Sequence, residues 1–203
     1  MKKSLVKRFI DATIGASLIA IGVGFFTRSG VGGDSVTLLY QALTNKFGLT
    51  VGKWSFIVGM FELLVPIILD RKKVGYTTIF YIIIGQYIMD FTTYLLPQQN
   101  TIIMGIVFTG IAILIISLGS VVCLASEMGL SIYDSFCFSI SDHFKIKYVA
   151  VRYAADGLHL LLAFIFGELL GIGTIMCFLA FGITVDTIKK LIYEKLYNFL
   201  RKE

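Results

Sequence analysis

Charge is scarce in this sequence. Only 15% of its 203 residues are Asp, Glu, Lys or Arg, and 57% are hydrophobic, with a mean hydropathy of +0.85. Soluble domains carry about 25% charge, so a solvated globular surface is excluded. Cysteine is rare too: Cys123, Cys137 and Cys177 are an odd number scattered in apolar surroundings. That excludes a disulfide framework and lacks the paired spacing of a zinc site; the three read as small buried hydrophobes. No H-E-x-x-H, G-x-S-x-G or P-loop spacing occurs, so neither an enzyme nor a cofactor is expected. No A-x-A-like cleavage site follows the basic start MKKSLVKRFIDATIGASLIAIG, and Asp11 interrupts its apolar part. The segment reads as a retained first helix, not a signal peptide.

What is present is a series of long apolar runs. A membrane-crossing helix needs about 20 apolar residues, and six stretches qualify: 9–27, 51–69, 74–96, 101–125, 148–166 and 169–186. The run from Thr101 to Ala125 has no charge at all. The expected fold is an all-α membrane protein, a single membrane domain over 1–203, with the lipid bilayer as its main surroundings.

Net charge is +5, but its placement argues against a nucleic-acid partner. Threading six spans from a cytoplasmic N-terminus puts 14 of the 18 basic residues inside: four near the start, three in Arg71 to Lys73, Lys145 and Lys147, and five in the tail. Arg28, Lys46 and Lys53 fall outside, and Arg152 lies within a span. This is the positive-inside pattern, and it implies a membrane protein with both termini cytoplasmic. In the tail, 188–203, apolar residues recur at helical spacing among lysines, which predicts an amphipathic helix along the inner surface.

Two polar breaks interrupt the apolar runs: RSGVGGDSV (28–36) and EMGLSIYDSF (127–136). After the first, Asp34 is placed to cap a short helix to Phe47. Its 14 residues reach only about 21 Å, less than the hydrocarbon core, so the helix is expected to enter and return or to lie at the interface. Thr37, Gln41 and Thr44 form its polar stripe; Asp134 to Phe144 repeats the design with Ser135, Ser139 and Asp142. A shift of 97 residues places Gly22 on Gly119, Phe47 on Phe144, Glu62 on His159 and Gly85 on Gly182. A shift of 100 superposes Asp34-Ser35 on Asp134-Ser135, so a small insertion is expected between, and GYTTI (75–79) answers GIGTI (171–175) at 96. Two halves, 9–96 and 101–187, each with three spans, make a 3+3 inverted repeat with two short re-entrant or interfacial helices. Transporters use this plan, with the site at the midplane where the halves meet.

The segments GASLIAIGVGFFTRSGVGGDSV (15–36), MGLSIYDSF (128–136) and GIGTIMCFLAFGITVD (171–186) resemble the YczE/YyaS/YitT family of bacterial integral membrane proteins. The resemblance implies a multi-pass location in a bacterial plasma membrane and a shared fold, and little mechanism. Members often have proline before the aspartate of the break, where Gly33 and Tyr133 stand here.

Ionisable groups inside spans are costly and mark functional sites by default. Arg152, Asp156 and His159 share one helix face at i, i+4 and i+7, with Arg152 expected to snorkel and pair with Asp156. Glu62 and His159 fall near mid-bilayer and are related by the repeat, so they are expected to face each other as the site for substrate or proton. Asp90, with Gln86 nearby, lies in the outer part of the third span. Asp34 and Asp134 are expected to bring two helix N-termini toward the centre, where the helix dipole favours a polar or anionic group. The composite reading is a small-solute transporter or permease. The alternatives are the substrate-binding membrane subunit of a multi-component uptake system and a non-transporting regulator.

Overall fold

A computed structural model describes the backbone of residues 4–200, with the side chains of residues 182, 186 and 192–200 outside the description; all its regular structure is helical. Helix α1 (Leu5–Ser29) begins where Ser4 accepts a hydrogen bond from the Lys7 amide, and stops where Gly30 turns left-handed at φ 70°. Then come α2 (Ser35–Phe47), α3 (Val51–Leu69) and a 3-10 turn over Arg71–Lys73. A continuous helical stretch follows, made of α4 (Tyr76–Phe80), a π turn (Tyr81–Gly85) and α5 (Gln86–Leu95). The chain is completed by α6 (Ile102–Ser126), α7 (Ile132–Phe144), α8 (Tyr148–Ile165) and α9 (Ile172–Leu200), which bends by 40° between Phe181 and Ile183.

Four of these helices, α1, α3, α6 and α8, are long and apolar enough to cross a membrane, and α9 makes a fifth if its two parts are one span. The chain is therefore a helical membrane protein. The run at 74–96 is helical through nearly all its length, but the π turn divides it into short pieces, so it does not form one regular spanning helix. The amphipathic tail expected at 188–203 continues α9 as far as Leu200; most of its side chains lie outside the described residues.

Close backbone approach organises the centre. Helices α1 and α6 run antiparallel, with Arg8 near the start of one bonded to Ser126 at the end of the other. A Cβ added to Gly22 would lie 2.3 Å from Ile116, and one added to Gly119 would lie 2.9 Å from Ile19. Hydrogen there lets two long helices meet backbone to backbone, the packing that substitutes for a hydrophobic driving force in lipid. Around this pair, α2 packs on α8, α3 on α7, α5 on α1, and α9 on α6.

The same local structure occurs twice. Helices α1 and α6 are both 25 residues long and start 97 residues apart; α2 and α7 are both 13 residues long and also start 97 apart. In the first break Ser29 donates to Phe26 O and accepts from the Val31 amide; in the second, Ser126 donates to Cys123 O and accepts from the Met128 amide. Gly32 and Gly129 have φ of 92° and 105°, in the region that favours glycine. Val31 O then accepts from the Gly173 amide, and Met128 O from the Thr77 amide.

The start of the second short helix departs from the expectation. The letters place it at Asp134, with an insertion shifting the register to 100. It starts instead at Ile132 with Ser131 as its cap, so the 97-residue register runs through the break and Asp134 sits inside the first turn. The Asp-Ser pairs match in letters; the serine that caps the backbone decides the register.

Candidate functional site

Helices α3 and α8 each carry one ionisable residue eleven positions from their start, Glu62 and His159. At 1.5 Å per residue that is about 16 Å along each helix. His159 Nε2 lies 3.2 Å from Glu62 Oε1, and the two residues are only 6% and 7% exposed. The contact has ion-pair distance without hydrogen-bond alignment. Glu62 Oε1 and His159 Nδ1 have no hydrogen-bond partner among the described residues. A carboxyl and an imidazole so placed can exchange a proton, and His159 Nδ1 keeps a free hydrogen-bonding capacity. The Tyr133 ring, from α7, tilts against the imidazole at 5.5 Å.

Tyr133 also connects this pair to a second cluster. Its hydroxyl donates to Asp156 Oδ1 at 2.6 Å, and Ser35, the first residue of α2, donates to the same oxygen at 2.5 Å. Arg152 contacts Asp134 at 2.9 Å and Asp156 at 4.0 Å. It also donates to the Tyr148 hydroxyl, which in turn donates to Asp134. The expected pairing of Arg152 with Asp156 is thus present but long, and Asp134 is the nearer carboxylate because α7 packs beside α8. The guanidinium lies over the rings of Tyr133 and Phe181 at 5.0 and 5.6 Å, so the part-buried arginine is held against its own protein.

The two aspartates of the breaks have different parts. Asp34 caps α2 by accepting from the Thr37 amide at 3.3 Å. Asp134 instead accepts from Ser131, Tyr148 and Arg152, a side-chain network rather than a helix cap.

Asp90 belongs elsewhere. Its two oxygens accept from Thr50 Oγ1 at 2.6 Å and the Gly52 amide at 2.8 Å, tying α5 to the start of α3. It lines an open cavity of about 600 Å³ whose polar lining includes Arg28, Gln41, Thr44, Asn45 and Glu168. In this cavity Asn45 Nδ2 donates to Glu168 Oε2 at 3.0 Å, while Arg28 is engaged by Thr93 O and Gln98. The structure does not bring Gln86 to either cluster: its side-chain amide folds back to Ile83 O. Among the described residues no group of three His, Cys, Asp or Glu could hold a metal ion, and the three cysteines are buried and free.

Sequence reasoning missed Tyr133 and Tyr148 as parts of the network, and Glu168 as a cavity residue. Tyr148 stands four residues before Arg152, a spacing that places both on one helix face. Tyr133 had no such signal, because only the packing of α7 on α8 gives it Asp156.

Comparison with known proteins agrees with the membrane reading. The chain is 30% identical over 166 residues to "Uncharacterized protein YyaS" of Bacillus subtilis, covering 80% of this chain and 83% of the relative. It is 27% identical over 186 residues to "Uncharacterized membrane protein YczE" of the same organism, covering 90% and 86%. An uncharacterized protein of Haemophilus influenzae is 26% identical over 172 residues, covering 84% and 78%. No solved structure matches the chain. Residues 6–190 match the model of a family of unknown function, DUF6198, and the chain belongs to that family, with YyaS and YczE among its relatives.

Proposed function

We propose that this membrane protein is a transporter or permease for a small polar solute, with its site around Glu62 and His159 between two inverted halves. The observation that carries the reading is the buried contact between these two residues, which hold the same position in helices starting 97 residues apart. Buried ionisable groups with unused polar atoms are a costly feature for a scaffold and an ordinary one for a solute or proton pathway.

Two further features support it. Helix α2 begins at Ser35 beside Asp156, partway along α8, and ends with Phe47 packed on Phe166 just past the end of α8, which supports a helix that enters and returns over one that lies at the interface. The charge distribution favours six crossings with both termini cytoplasmic, α4 to α5 and α9 serving as the third span of each half. Arg152 is flanked by two carboxylates, so it presents no spare cation, and the solute is better read as uncharged or cationic than anionic. The protein acts as a carrier and not as an enzyme.

The test is reconstitution of the purified protein alone in liposomes, after a thermal-shift screen of small polar metabolites for ligands that raise its stability. Uptake of a stabilising metabolite supports the reading. Stabilisation without uptake would assign the chain to a multi-component uptake system, and the absence of both would overturn solute handling altogether.

A further inference from the structure

The two short helices end in matched positions with opposite fillings. At the α2 end, Gln41, Thr44 and Asn45 face the cavity of about 600 Å³. Adding 97 gives Phe138, Ser141 and Asp142 on α7. There Phe138 is stacked on Tyr148 at 4.1 Å, and Ser141 donates to Ile146 O. Each helix also reaches a connecting segment at the same position: Asn45 bonds Glu168 between α8 and α9, and Asp142 bonds Lys73 between α3 and α4. The first is a hydrogen bond between an amide and a carboxylate at 3.0 Å; the second is an ion pair at 2.6 Å, with the lysine also 5.6 Å over the Phe138 ring. On the Lys73 side, Arg8 further joins α1 to Ser126 and Glu127.

Building on the transporter reading, we propose that these are its two access gates. The cavity at the α2 end is the entry site for the small polar solute, and Lys73–Asp142 is the latch that holds the α7 end shut. Amide, hydroxyl and carboxylate groups line the entry site, and a space of this size suits a small organic molecule. The latch is of the right strength for a switch. The Lys73 and Asp142 side chains are 26% and 53% exposed, and a pair of that kind biases an equilibrium without locking it. At the other end Glu168 meets an amide, Asn45, and no cation, so no ion pair closes the cavity there.

Matched reporters test this in a background with Cys123, Cys137 and Cys177 replaced by alanine: Thr44→Cys for the α2 end and Ser141→Cys for the α7 end. A membrane-impermeant trimethylammonium methanethiosulfonate is added to either face, using right-side-out and inverted vesicles. Thr44→Cys is expected to react from its own face and Ser141→Cys to be slow from the other. Adding Asp142→Asn or Lys73→Met should speed Ser141→Cys about two- to fivefold, the range a half-exposed ion pair allows. The swap of Lys73→Asp with Asp142→Lys should return it to the slow rate, which mere loosening of α7 would not do. Equal reactivity of the two reporters, indifference to Asp142→Asn, or a swap that fails to restore protection overturns the latch. If labelling follows the pair but the purified protein neither binds nor takes up solute, the transport reading and the entry site fail and the latch stands. Uptake with labelling indifferent to the pair does the reverse: the latch is overturned and the transport reading stands.

Discussion

Glu62 and His159 stand 3.2 Å apart, buried, each eleven residues into a helix, on helices that begin 97 residues apart. Removing one partner leaves the other buried with nothing to face, whereas removing both leaves an apolar centre. His159→Leu should therefore lower stability by about 1–3 kcal/mol, and Glu62→Leu with His159→Leu should recover most of it. Thermal unfolding in detergent measures this, and strictly additive losses would mean the two are not coupled. Glu62→Gln should keep the fold while abolishing uptake in liposomes, and wild-type uptake by that variant would remove the pair from the site.

The two aspartates of the breaks should separate in their response to amidation. Asn caps a helix about as well as Asp, so Asp34→Asn should leave the melting temperature nearly unchanged. Asp134→Asn weakens the 2.9 Å contact with Arg152, a part-buried arginine, and should cost about 1–3 kcal/mol. Equal melting temperatures for the two variants would show that Asp134 is no more than part of a helix turn.

Gly75 and Gly171 are expected to be intolerant of even one methyl group. A Cβ would meet Met128 O at 2.3 Å in the first case and Val31 O at 2.0 Å in the second. Backbone carbonyls cannot swing aside, so each Gly→Ala change should cost about 1–3 kcal/mol. Gly110 and Gly157 have nothing within 4 Å of an added Cβ, so alanine there should be neutral. Wild-type melting of Gly171→Ala would contradict the close approach.

Topology is open to labelling. Cysteine at Gln98 or Gln99 should react with an impermeant reagent from outside the cell, and cysteine at Lys72 should not. Reaction of Lys72→Cys from outside would reverse the charge-derived orientation.

Much of the fold is legible in sequence because its signals are one-dimensional. Apolar length marks α1, α3, α6 and α8, and a polar, glycine-bearing break marks each turn into a short helix. The 97-residue register that relates Glu62 to His159 in the letters also relates the helix starts. What the letters misplace is the start of α7. Asp134 resembles Asp34 as a residue, but Ser131 has the position from which a side chain reaches the helix amides.

Composition and spacing by themselves determined that this chain lives in a membrane, that it is helical, and that one acid and one histidine stand at equivalent positions in two helices. Hydropathy and charge act locally, and each residue contributes to them regardless of its neighbours in space. Only the tertiary structure decided that those two residues touch and that Arg152 has Asp134 as its closer partner. It also decided that Asp90 lines a cavity and that Gln86 turns back on its own helix. Those outcomes depend on which helices pack together. That choice rests on glycine contacts between distant segments, such as Gly22 on Ile116 and Gly171 on Val31, where a gap of a few ångströms between backbones selects one neighbour over another.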